Sequence, residues 1–340
     1  MRIDNLISGK EIDIIIGGPP CQAYSVIGRS RDSNKMMGDK RKYLYKEYIK
    51  YLSKYSPKMY IFENVTGILS STDEKGRKML DKIKRAFNYV GYNFQYMKLN
   101  SKDFGVLQDR ERVLIIGWKK EYSLEFPKIN KTKLQQGSIN QLFNDLPSLN
   151  SNENQKSYSY KKQAGNTVIS RGIREANWKT LTQHNARYNN SSDLQIYKIL
   201  QQEIVNKGLR LSYKDLPSDL KTHKNQQDFQ DRFKVINGKG VSHTMVAHIA
   251  KDGHHYIHPD IKQNRSITVR EAARIQSFPD NYYFESSRTA AFTQIGNAVP
   301  PLMAEALASA CKWQLKKSLK EDRDDKSKIQ AISKINNNNR

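Results

Sequence analysis

The chain has 340 residues, with 58 Lys and Arg against 34 Asp and Glu for a formal charge of +24, an excess that points to a polyanionic partner such as nucleic acid. No apolar run approaches the ~18–20 residues of a bilayer span, no secretory leader pattern is evident, and two cysteines, Cys21 and Cys311, fit a reducing cytoplasm rather than a disulfide scaffold. The expectation is a soluble, cytoplasmic protein with no membrane attachment, long enough for two domains. A general bias toward Lys and Asn, visible in the closing "KINNNNR", is the competing source of the charge.

In chain order, "EIDIII" (11–16) is a short β-branched run ended by Gly-Gly-Pro-Pro, a pattern that predicts a buried strand of an α/β sheet. "YLYKEYIKYLSKY" carries apolar positions at helical spacing, "KMYIF" (58–62) predicts a second buried strand, and "RKMLDKIKRAFNYVG" an amphipathic helix stopped by Gly91. "YNFQYMKLN" and "RVLIIGW" follow as strands. To Trp118 the order is βαβαββ, a Rossmann-like half with one antiparallel addition. From about Ser148 to His258 regular periodicity fades, pieces such as "LQIYKIL" stand alone, and a second, smaller, irregular basic domain is expected. Inside it "TMVAHIAKDGHHYIHP" predicts a hairpin turning at Asp252-Gly253. His248, His254, His255 and His258 there do not make a recognisable ligand set, so no metal is expected. "SITVREAARIQSFPD" predicts a helix with a Thr268–Glu271 capping box and a stop at Pro279. "QIGNAVPPLMAEALASACKWQLKK" predicts a glycine turn opening a helix at Pro300 and Pro301, with Cys311 as a small buried hydrophobe. Residues 318–340 predict a disordered tail.

A cysteine at the C-terminal end of a parallel strand stands where α/β folds place their sites. Alone, "GGPPCQAYS" is equally a rigid turn with an inert thiol. Two further pieces change the balance: "ENV" (63–65) sets a carboxylate at the end of the next strand, and "QDRER" (108–112) presents two arginines before another. Thiol, carboxylate and guanidinium are expected to face one cleft.

In this order "GGPPCQAYS", "ENV", "LNSKDFGVLQDRER", "RSITVREAARIQSFPD" and "QIGNAVPP" resemble the DNA (cytosine-5)-methyltransferase family over about residues 10–315. The resemblance implies an S-adenosylmethionine-dependent methyltransferase fold and methylation of C5 of cytosine in a specific duplex sequence, as in restriction-modification systems. It implies Cys21 as the nucleophile on C6, Glu63 on the amino and N3 edge, and Arg112 on the base carbonyl oxygen. The same likeness gives Gln22, Ser25, Gln108 and Arg110 positioning roles toward the base, the DNA or the site. Pro20, Asn297, Ala298 and Val299 match positions that touch the cofactor, S-adenosylmethionine. The chemistry has its own logic, since C5 is a poor nucleophile until a thiolate on C6 makes the ring an enamine, and a stacked base must be flipped to be reached. Residues 22–40 match the family's mobile loop.

The resemblance divides the chain into a catalytic domain (1–147), a target recognition domain (148–261), a return to the catalytic domain (262–317) and a tail (318–340). It departs from the family at the start: the F-x-G-x-G turn and the acidic ribose-binding residue are not found before Glu11. Two to three βα units are missing, roughly 70–90 residues at about 30 per unit, and an apolar strand edge is expected in their place. The expected partners are double-stranded DNA and a second polypeptide bringing the missing units. A misassigned start or frameshift, or a decayed and catalytically silent DNA-binding remnant, are the alternatives.

Overall fold

The computed structural model describes residues 3–20, 24, 39–154, 158–222 and 230–318. The chain forms two compact units, the first from Met1–Asn100, Glu111–Asn130 and Ala306–Arg340, the second from Ser101–Arg110 and Lys131–Glu305.

The first unit is a four-stranded sheet. Its elements are α1 (Ile3–Ile7), β1 (Ile14–Gly17), α2 (Tyr45–Tyr55), β2 (Met59–Asn64), α3 (Met79–Tyr89), β3 (Gln95–Asn100) and β4 (Glu111–Trp118). The spatial order is β1-β2-β4-β3, with β1 parallel to β2 and β4 antiparallel to both neighbours. The elements follow one another along the chain as expected, and β4 is the one antiparallel strand. Alternation along β2 and β4 sorts the side chains. Tyr60, Phe62, Val113 and Ile115 join Tyr48 and Leu52 of α2 and Met79, Ile83 and Phe87 of α3 in one buried cluster. The helical positions recur at intervals of four, which puts them on one stripe. Rings rather than aliphatic chains fill this core: Tyr60 lies 4.5 Å from Phe87 and Tyr48 sits edge-on to Phe62 at 5.3 Å. Gly117 is required by the close approach of Asn93 and Tyr60, since a Cβ would lie 2.1 Å from the Asn93 carbonyl oxygen and 2.2 Å from the Tyr60 ring. At the β1 edge Ile16 is 69% exposed, although the strand is only four residues long.

The second unit has little sheet. It contains α4 (Ile139–Phe143), α5 (Asn166–Ile169), α6 (Ser191–Lys207), α7 (Val269–Ile275) and α8 (Arg288–Asn297); a further helix, α9, covers 301–318, its residues from Ala306 onward belonging to the first unit. The capping box is present at α7, where the Thr268 side chain accepts from Glu271 N and Glu271 answers to Thr268 N. All seven residues of α7 are buried, Arg270, Glu271 and Arg274 among them. Arg274 and Asp145 approach to 2.6 Å, as do Arg274 and Asp280, and Arg265 meets Glu271 at 2.7 Å.

Four local expectations are corrected. The Asp252-Gly253 hairpin does not form: Ala247–Ala250 is a 3₁₀ turn that buries Ile249, and only Gly253 of the pair has positive φ, whereas a type I′ turn needs two. "LQIYKIL" does not stand alone but lies inside the 17-residue α6, capped by Asn190 and ended by the left-handed Gly208. Pro279 is not the stop of α7, because the chain has already left the helix by Ser277, whose φ is +65°. Gly296 does not open a turn. It lies in the last turn of α8, where a Cβ would come 2.3 Å from Ala247 N. No helix among the described residues is long and apolar enough to cross a membrane. The tail beyond 318 lies outside the described residues.

Candidate active site

Glu63 and Arg112 stand on the sheet face opposite the aromatic core. Glu63 is paired in register with Leu114, two residues from Arg112 on β4, so both side chains point the same way across adjacent strands. Arg112 Nε lies 2.8 Å from Glu63 Oε1, with 10% and 17% of the two side chains exposed. The pair is therefore largely screened from water yet open on one side. Gly18, just past β1, keeps that side clear: a Cβ there would lie 2.9 Å from Glu63 Oε2.

Two residues not foreseen as functional hold the end of β1. Asn64 donates from Nδ2 to the Pro19 carbonyl (3.4 Å) and accepts Val65 N (2.9 Å), tying the Gly-Gly-Pro-Pro turn to the end of β2. The Tyr48 hydroxyl lies 2.8 Å from the Ile15 carbonyl and 3.0 Å from that of Ile61, bracing the two strands side by side. Asn64 could have been found in "ENV", whose second residue is a side-chain donor next to the carboxylate. Tyr48 carried no sequence signal, because its partners are 33 and 13 residues away. Pro20 is exposed at the end of this turn. Cys21, Gln22 and Ser25, and all of the 22–40 loop except Tyr24, Asp39 and Lys40, lie outside the described residues. Tyr24 is buried, and its hydroxyl donates to the Lys42 carbonyl at 2.5 Å.

The second unit holds the other predicted residues. Gln108 and Arg110 are 0% and 1% exposed, and both are committed to protein. Gln108 accepts Met245 N at 2.7 Å, and Arg110 donates to the carbonyls of Met245, Gly296 and Ala298. Asn297 is exposed at the end of α8, with Ala298 and Val299 half-buried after it. The surrounding electrostatics are those of a dry interior. Burial pushes His258 down to about 4, helped by the Arg265 guanidinium, and His243 down to about 3, helped by Lys234. Burial works to raise Glu271, but the Arg265 guanidinium outweighs it and holds the carboxyl well below its usual range. Among the described residues no group of three His, Cys, Asp or Glu is placed to hold a metal ion.

A mixed α/β sheet with a carboxylate and a guanidinium at its strand ends is a Rossmann-like arrangement. The crystal structure of a protein described as a candidate DNA modification methyltransferase, encoded within an E. coli prophage, shares that fold. The two superpose with a TM-score of 0.63 at 23% identity, over 92% of this chain and 82% of that one. Residues 2–313 match the family model of the C-5 cytosine-specific DNA methylases. The Type II methyltransferase M.Bpa9945I of Bacillus paralicheniformis is 42% identical over 316 residues, which are 88% of this chain and 70% of that protein. The Type II methyltransferase M.DdeI of Desulfomicrobium norvegicum is 30% identical over 334 residues, 91% of this chain and 75% of that one. The chain belongs to the C-5 cytosine-specific DNA methylase family, enzymes that act on DNA with S-adenosylmethionine.

Proposed function

We propose that the chain methylates C5 of a cytosine flipped out of a specific duplex sequence, through a covalent bond from Cys21 to C6. What supports this reading is the Glu63–Arg112 pair, 2.8 Å apart beside the turn that leads to Cys21. Along its pairing edge cytosine offers the O2 acceptor, N3 and the N4 amino donor in sequence. A guanidinium next to a carboxylate is the complement of that edge: Arg112 donates to O2 while Glu63 accepts from N4 and holds the proton at N3. The Cys21 thiolate adds to C6, and the N3 proton held by Glu63 offsets the charge that develops in the ring. S-adenosylmethionine, when bound, supplies the methyl group from its sulfonium. Loss of the C5 proton then expels the Cys21 thiolate and restores the aromatic ring.

Pro20, Asn297, Ala298 and Val299 are the residues of this chain that would hold the cofactor. Gln22 and Ser25 would position the base, and Gln108 and Arg110 the site. Residues 148–261 would read the surrounding sequence and grip phosphates.

Incubation with a DNA duplex carrying 5-fluorocytosine, S-adenosylmethionine and any partner should yield a denaturant-resistant protein–DNA adduct, because fluorine blocks the last elimination. Cys21→Ala should remove the adduct entirely. A Cys21→Ala protein that traps DNA as well as the parent would sink the proposal, and salt-dependent binding without methylation in any setting would mark a silent DNA-binding subunit.

A further inference from the structure

Gln276 lies in the stretch "RIQSFPD" and takes no part in the chemistry proposed above. We propose that Gln276 is a positioning residue: it fixes the Gly296–Ala298 segment so that Asn297 and Val299 are presented to the cofactor. This deepens, and rests on, the reading that Asn297–Val299 meet the cofactor.

Gln276 follows the last turn of α7 and is 0% exposed, so it cannot touch a ligand itself. Its amide nitrogen donates to the carbonyl just before that segment, Ile295 (2.7 Å), and to the one at its end, Ala298 (3.2 Å). Its amide oxygen accepts from Gln108 Nε2, and Gln108 in turn accepts Met245 N. Arg110 closes the arrangement from the other side, donating to Met245, Gly296 and Ala298 carbonyls. The Ala298 carbonyl therefore takes one bond from Gln276 and one from Arg110, using both of its lone pairs. These carbonyls belong to the end of α8, where a helix runs out of its own donors. One amide, that of Gln276, and one guanidinium, that of Arg110, both planar and both buried, supply those donors in fixed directions, and the Gln108 amide holds the first in place.

Sterics add a second constraint. At Gly296 a Cβ would stand 2.3 Å from Ala247 N and 2.5 Å from Val246 C, both backbone atoms that cannot swing aside. The segment is thus pressed onto Val246–Ala247 on one side and tethered by Gln276 on another. A side chain of the same size without polar atoms would fill the space yet take one donor from each of the Ile295 and Ala298 carbonyls and leave the Gln108 amide nitrogen without this acceptor.

The experiment substitutes Gln276→Met in the full chain and reads amide hydrogen exchange without cofactor. Exchange in the peptide spanning 292–300 should rise at least tenfold, while the peptide spanning 139–146, in the core of the same unit, stays as protected as in the parent. The dissociation constant for S-adenosylmethionine, measured directly by calorimetry, should rise about tenfold, and that for duplex DNA should change less than twofold. Unchanged exchange at 292–300 overturns the proposal. A rise spread equally over the unit also overturns it, because that marks a residue with a structural role only. Faster local exchange with unaltered cofactor affinity overturns the cofactor assignment of Asn297–Val299, and an Asn297→Ala protein with parental cofactor affinity identifies that failure separately. Should Gln276→Met not fold, Gln276→Glu is read the same way, since it keeps the size and the acceptor for Gln108 but gives up both donors.

Discussion

The two units solve the same problem, satisfying a buried backbone, in different ways. In the first, strands pair with strands, so the interior can be given over to rings such as Tyr60, Phe62 and Phe87. In the second, strand ladders give way to short helices and isolated bridges, and the fully buried large side chains include Arg110, Arg265, Arg270 and Arg274. Those guanidiniums take over the role of a sheet. Arg270 donates to the carbonyls of Thr182, Pro279 and Tyr282, Arg274 to Leu142, Arg265 to Leu149 and Ser266, and Arg110 to three more. One side chain with five donors can serve several strands of irregular chain at once. Each such cation also needs a carboxylate or a ring of carbonyls around it, which makes the second unit's interior more exacting than one held by apolar contact.

The largest effect should follow from attacking each interior by its own means. Arg274→Met takes from Asp145 and Asp280 a cation they share, leaving Arg174 to the first and Tyr160 and Arg270 to the second, and should cost the second unit about 4 kcal/mol. Phe87→Ala should cost the first unit about 3–4 kcal/mol by leaving a cavity among rings. Urea unfolding followed through the methyl signals of Ile83 and Ile275 separates the two. If either substitution lowered both midpoints equally, the contrast between the interiors would not hold.

Acid should sharpen the same contrast. All seven histidines fall within the second unit's span. His258 is held neutral down to about 4 by burial, so between pH 6.5 and about 4 the unfolded chain binds a proton that the folded one does not. Stability is then full above pH 6.5 and falls as pH drops through that window. His184 and His255, also lowered by burial, act in the same direction. Glu271 and Asp145, whose carboxyls are held below their usual values against the effect of burial, begin to cost stability only once pH falls under about 4.5. The Ile275 midpoint should drop by pH 5 while the Ile83 midpoint is nearly unmoved; equal losses would refute this account.

The smallest expected effect is Tyr48→Phe. Without the hydroxyl the Ile15 and Ile61 carbonyls lose a shared donor, at a cost of about 1–2 kcal/mol. The Ile83 signal should report it and the Ile275 signal should not.

How much of this was legible beforehand follows from the range of each interaction. Strands written as apolar runs, helices written at 3.6-residue spacing and the Thr268–Glu271 cap are local patterns, and the structure has them within a few residues. The motif "ENV" led to Glu63, and "QDRER" to Arg112, because residue types at strand ends carry chemistry in themselves. The false hairpin at Asp252-Gly253 shows the limit. A turn dipeptide was present, but burial of Ile249 and the packing of Gly296 against Ala247 favoured a 3₁₀ turn. The helix over "LQIYKIL" was missed because its buried positions, Ile196, Tyr197, Leu200 and Gln201, mix polar and apolar types and blur the stripe. Gln276 could not be read at all, since its worth lies in partners at 108, 295 and 298.

The division of the chain also sets a timetable for its synthesis. β3 and β4 belong to the first unit, but the ten residues between them belong to the second. Arg110 reaches its last partner, Ala298, 188 residues later. At about 5–20 residues per second a ribosome needs roughly 10–40 s to make that stretch. Throughout that interval the nascent sheet can close while its β3–β4 loop waits, wet and without its final partners, so this loop is where proteases and chaperones would find the half-made enzyme.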